Sequence, residues 1–164
     1  MHPGGALGPG TRDALDELRE LEALLRNARI HKPLVLVGHS WGGPLVRLYA
    51  GRHRHDVAKS LREVATVATL GDLPLVVVTA PLGQFPPPAD RYLAPVWARL
   101  QSGLARLSSR SVHVIALRSS HFVIQDQPDV VVAAVRAAVA ASRDDGRLPP
   151  CARVFRMTGT RCVS

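Results

Sequence analysis

Leu34-Val35-Leu36-Val37-Gly38-His39-Ser40-Trp41-Gly42 passes from four apolar residues straight into a Gly-x-Ser-x-Gly turn, and a helical pattern, Pro44 to Tyr49, follows at once. Strand, tight turn and helix in that order read as a nucleophile elbow. Such a turn holds its serine in a strained backbone conformation. The positions two before and two after it approach each other, so a side chain at Gly38 or Gly42 is expected to clash. Ser40 Oγ then points away from the sheet, beside a helix start that offers N–H groups and the positive dipole end. The Trp41 amide is the natural first oxyanion donor, and Gly43 extends the small-residue patch. The competing reading is a Gly-rich turn that binds an anion or simply turns.

Outward from the turn, helices and strands alternate. Residues 1–10 are rich in Gly and Pro and read as a flexible N-terminus. Thr11 can cap a helix from Arg12 to about Ala28, with Leu15, Leu18, Leu21 and Leu25 at helical spacing, Leu24 widening the stripe, and Asp13, Asp16 and Glu17 in the first turns. Pro33 to Val37 reads as a strand covered on both faces. The helix after Ser40 is expected to reach about Arg54, and a second helical stretch runs from Val57 to Leu70. Leu73 to Ala80, with Val76-Val77-Val78, is the clearest strand. A Pro-rich loop, 81–88, leads to a helix from Asp90 to about Leu107, in which Pro95 can kink or delay the start. Val112 to Leu117 is a third strand, and Pro128 opens a helix to about Ser142. Residues 143–164 are rich in Arg, Pro and small residues and read as a largely disordered tail. The fold class is therefore α/β, a parallel sheet with helices on both faces, carried by residues 11–142.

Composition narrows the function. The 164 residues fit one domain with one sizeable core. The formal charge of +8 is almost wholly Arg, since only Lys32 and Lys59 are lysines, and it is scattered. Aromatic residues make up 4%, too few to interleave with the basic residues as a base-stacking surface. No nucleic-acid partner is expected. The longest apolar stretch, Val130 to Ala141, is interrupted by Arg136 and too short to cross a bilayer, so no membrane partner is expected either. The start, Met1-His2-Pro3-Gly4-Gly5, lacks the pattern of a signal peptide, which makes the cytoplasm the expected location. Cys151 and Cys162 form no metal-ligand pattern. Two free thiols are the favoured reading and one disulfide in the tail is the alternative.

A serine hydroxyl is a poor nucleophile near neutral pH and needs a base. In elbow enzymes the base follows in the chain order Ser, acid, His. His121 qualifies: it lies after the last strand and before the last helix, on the same sheet edge as Ser40. His113 lies inside a strand and reads as half-buried or structural. His39 cannot turn back on its neighbour, His53 and His55 read as surface, and His2 and His31 have no supporting context.

Three stretches carry a family resemblance: Val35 to Gly43, Leu73 to Val78, and His121-Phe122-Val123-Ile124-Gln125-Asp126-Gln127-Pro128-Asp129. Together they resemble the α/β-hydrolase superfamily, particularly its small esterase-like members, over about residues 11–142. The resemblance implies a serine hydrolase acting on a small-molecule ester or similar acyl substrate. Ser40 is then the nucleophile, His121 the base and the Trp41 amide an oxyanion donor, with no metal or organic cofactor. The family's acid usually lies in the loop after the strand read as Leu75 to Thr79. Asp90 lies there, and a plain helix N-cap is its competing reading. Asp72 is on the wrong edge, and Asp126 reads as local support for the last helix together with Asp129.

The chain also departs from that family. Its usual strands before the elbow, its lid and the strand after the elbow helix have no counterpart here. His2-Pro3-Gly4-Gly5 only faintly resembles the His-Gly motif that supplies a second oxyanion donor. The expectation is a shortened relative, or the product of a truncated gene, with about three strands against the five or six of a mean sheet. Its exposed sheet edges then invite self-association. The alternative function is a catalytically impaired remnant that binds a partner.

Overall fold

A computed structural model describes residues 14–30, 34–40, 42–52, 67–81 and 85–163. The chain divides into two compact units, one comprising residues 1–32 and 36–68 and the other 33–35 and 69–164.

Within the described part of the first unit are α1 (Ala14–Asn27) and α2 (Gly42–Arg52). Ala14, Leu15 and Leu18 form the buried stripe of α1, with Asp16 and Glu17 at its dipole-positive start. Leu24, expected to widen that stripe, is exposed instead. Leu48 and Tyr49 are the buried residues of α2. Arg52 Nε lies 3.5 Å from Glu22 Oε1 and ties α2 to α1, while Arg47 Nη2 donates to the Val67 carbonyl at 2.6 Å. Burial, reinforced by the nearby Glu22 carboxylate, pushes the Tyr49 hydroxyl pKa up.

The second unit contains β1 (Leu75–Thr79), α3 (Asp90–Ala105), β2 (Ser111–Ala116), α4 (Val123–Asp126), α5 (Pro128–Arg143), α6 (Cys151–Val154) and β3 (Thr160–Val163). β1 and β2 pair in parallel, from Leu75 opposite Ser111 to Thr79 opposite Ile115. β3 pairs antiparallel on the other side of β2, from His113 opposite Val163 to Ala116 opposite Thr160. The α/β class holds, but the sheet is mixed, in the order β1-β2-β3. Being central, β2 contributes Val114 and Ala116, both fully buried. These pack with Ala80, Val123, Val130, Ala134 and Phe155 as the core. Pro95 sits inside α3 without delaying its start.

Two expectations change, and a third falls largely outside the described residues. Residues 34–39 carry no strand, because an apolar run becomes a strand only where a neighbour pairs with its backbone, and no described residue does. Most of the helix expected over Val57 to Leu70 lies outside the described residues, as do Thr11, Arg12 and His31, and 67–70 are irregular. The tail expected to be disordered supplies α6 and the third strand of the sheet. Its Phe155 is buried in the core, and Cys151 and Cys162 form a disulfide with Cα atoms 6.0 Å apart. Basic composition hid a single large apolar anchor and a covalent staple, which together order a short segment.

His113 is buried in β2, as expected of a strand histidine, and its Nε2 is hydrogen-bonded to Thr79 Oγ1 at 2.8 Å. Burial lowers its pKa from 6.5 by disfavouring the charged ring. In the unfolded chain the ring is protonated first, so His113 supports stability fully above pH 6.5 and loses it as pH falls toward the folded-state value. We expect urea midpoints to fall across that window, and His113→Gln to flatten the dependence. An unaltered slope in the variant refutes this assignment.

Candidate active site

The turn after Val37 has the geometry its sequence demands. Ser40 has φ +53°, in the left-handed region where an L-residue carries roughly 1–2 kcal/mol of strain. The Gly42 amide donates to the His39 carbonyl at 2.9 Å and the Gly43 amide to the Ser40 carbonyl at 3.0 Å, so chain and helix start are drawn into one tight loop. A Cβ on Gly38 would lie 2.3 Å from the Gly42 carbonyl oxygen and 2.8 Å from the Gly43 amide nitrogen. That close approach explains Gly38. It does not explain Gly42 or Gly43, where a Cβ would meet nothing within 4 Å among the described residues. The close approach is borne by one flank only. Ser40 itself is exposed, and Trp41 lies outside the described residues.

His121 lies in the second unit, half-buried in the loop between β2 and α4, with the Phe122 ring edge-on at 5.5 Å. Two side chains shape this loop. The Asp126 carboxylate accepts the Ser120 hydroxyl at 2.6 Å and the Ser120 amide at 2.8 Å. Those donors, the hydroxyl foremost, hold the Asp126 carboxyl below its ordinary pKa of 3.8. Asp126 therefore braces the loop, where the sequence suggested support for the start of the last helix, and no side chain caps that helix. The second is Gln127, which the sequence reading passed over. Its side chain is 1% exposed and makes four hydrogen bonds. One signal was present: Gln127 stands at the N-cap of α5, where Gln is not among the favoured residues, which suggests another task.

Asp90 opens α3, in the same unit as His121. The capping alternative fails, because the N-cap is Ala89 and no side chain caps the helix. Asp90 Oδ1 is buried and has no hydrogen-bond partner among the described residues. A desolvated carboxylate oxygen without a donor is costly and is a natural acceptor for an incoming N–H. Phe85 and Trp97 pack edge to face with centroids 6.3 Å apart, while Tyr92 and Phe122 are exposed.

The alpha/beta hydrolase fold family matches residues 10–117, more than half of the chain. The chain belongs to that family. The match takes in Ser40 and Asp90 and ends four residues before His121. The chain is also similar to the uncharacterized protein YqjL of Bacillus subtilis (strain 168), at 25% identity over 166 aligned positions. That alignment takes in 76% of this chain and 64% of YqjL, so the chain spans somewhat under two thirds of the relative's length. No solved structure matches it.

No group of three His, Cys, Asp or Glu among the described residues could hold a metal ion. No described helix is long and apolar enough to cross a membrane.

Proposed function

We propose that this alpha/beta hydrolase cleaves an ester or similar small acyl substrate by a Ser-His-Asp mechanism. The observation that carries this reading is the left-handed Ser40 in a turn closed by Gly38, because such strain is retained where a nucleophile must be presented. Ser40 Oγ attacks the acyl carbon and passes its proton to His121. The carbonyl oxygen becomes an oxyanion that accepts from the Trp41 amide. Collapse breaks the bond to the leaving alcohol, which takes the proton back from His121. Water then attacks the acyl-serine by the same route and releases the acid. Asp90 orients His121 and stabilises the imidazolium, and its unpartnered buried oxygen supports that role.

A fluorophosphonate probe tests the reading. We expect one label per chain on Ser40, measured by peptide mass spectrometry, and none on Ser40→Ala. A folded chain that takes no label refutes it. That outcome favours the second reading, a non-catalytic module that binds a partner or a second copy through the open sheet. Among the described residues β1 and β3 are both edge strands, and this is the observation in its favour.

A further inference from the structure

We propose that Gln127 is a positioning residue for His121, clamping the histidine loop to the C-terminal strap, and that the Cys151–Cys162 bond locks the clamp. The link to His121 as a base rests on the function proposed above.

The geometry is local to one unit. Gln127 Oε1 accepts the Arg118 amide at 2.7 Å and the Ser119 hydroxyl at 3.2 Å. Its Nε2 donates to the carbonyls of Thr158 at 2.8 Å and Gly159 at 3.4 Å. One buried amide thus joins the residues immediately before Ser120 and His121 to the turn that leads into β3. Each end of the group has its own task. The oxygen serves the histidine loop and the two hydrogens serve the strap, so neither Glu nor a hydrocarbon does both. Leu117 adds a parallel tie, its amide donating to the Gly159 carbonyl at 3.3 Å. Gly159 has φ +66°, and a Cβ there would lie 2.8 Å from Arg118 Nε, so strap and loop are in close register.

What holds the strap is equally specific. β3 is only four residues long and sits at the sheet edge. The turn before it is anchored by buried Phe155, whose carbonyl accepts the Thr158 hydroxyl at 2.8 Å. The disulfide then fixes β3 to α6 across a separation of 11 residues. Cys162 is exposed, so a dithiol reductant can reach it. Thiol–disulfide exchange converts Cys151 and Cys162 to two thiols while the reductant is oxidised to its own disulfide. A short edge strand without its staple frays, and Thr158 and Gly159 then no longer stand where Gln127 needs them.

Hydrogen exchange on the full chain tests this. In Gln127→Met, a change of similar volume, we expect exchange over residues 117–122 to rise about tenfold while β1 keeps its protection. Dithiol reduction of the parent should accelerate exchange at 160–163 and, with it, at 117–122. Unchanged exchange at 117–122 in either sample overturns the proposal, and if Gln127→Met does not fold, the reduced parent decides. Fluorophosphonate labelling gives the second readout. In the variant the labelling rate at Ser40 should fall about tenfold while the end point stays at one label per chain. An end point that falls in step with the rate signals a folding defect and overturns the positioning role. A parent that never labels overturns the proposed hydrolase instead and leaves the exchange result to judge the clamp.

Discussion

Under the proposed mechanism, alanine at Ser40 or at His121 should lower hydrolysis of an activated phenyl ester by about 10⁴- to 10⁶-fold, and the double variant should be no slower than the worse single one. On that mechanism the two side chains perform one act. Without His121, Ser40 keeps its proton and is a weak nucleophile. Without Ser40, His121 has no hydroxyl to activate. Once either is gone, the remaining partner contributes nothing further, so their losses do not add. On the same mechanism Asp90→Asn should slow turnover by up to about 10⁴-fold, since it would remove only the orientation and charge support of the imidazole. Neither alanine should disturb folding, because Ser40 is exposed and His121 is half-buried on a loop. Initial rates on purified single and double variants, with far-UV dichroism as the folding control, make the comparison. Activity within tenfold of the parent in either single variant, or losses that multiply, argues against the mechanism.

Gly38→Ala destroys the elbow, whereas Gly42→Ala is tolerated. At Gly38 the added methyl would lie 2.3 Å from a backbone carbonyl oxygen and 2.5 Å from its carbon. Neither atom can rotate away as a side chain can. The turn must open, which disturbs the hydrogen bonds that the Gly42 and Gly43 amides donate and that hold Ser40 at φ +53°. We expect a loss of about 3 kcal/mol or more in stability, at the upper end of overpacking costs, or a native fold whose labelling at Ser40 is about 10³-fold slower. Gly42 stands at the start of α2, and its added methyl would meet only open space among the described residues. Replacing Gly by Ala at a helix start removes backbone freedom from the unfolded chain, so stability should stay within about 1 kcal/mol. Urea denaturation and probe labelling of both variants decide the matter. A Gly38→Ala protein with parental stability and labelling disproves the close-approach account.

The elbow was legible because its demands are local. A left-handed serine and a backbone contact four residues apart depend only on nearby atoms, so Gly38 and Ser40 announce themselves in the sequence. The strands at Leu75–Thr79 and Ser111–Ala116 and the helices at Ala14–Asn27, Asp90–Ala105 and Pro128–Arg143 were legible for a similar reason, since buried faces repeat with a fixed period. The role of Gln127 was not, because its partners stand as many as 32 residues away and a lone Gln before Pro carries no pattern. Nor was β3. A strand of four residues among arginines has no periodicity to read, and it forms because β2 offers a free edge and Cys151 a bonding partner.

By itself, then, the sequence determined the α/β class, the order of most elements and the strained turn that presents Ser40, all set by short-range sterics and hydrophobic periodicity. Only the tertiary structure decided that Leu34 to Val37 finds no pairing partner among the described residues, that Asp90 Oδ1 is buried without a donor there rather than capping α3, and that the basic tail adds the third strand of the sheet and is hydrogen-bonded to the histidine loop. Each of those depends on which distant backbone or donor stands opposite, and no local pattern records it.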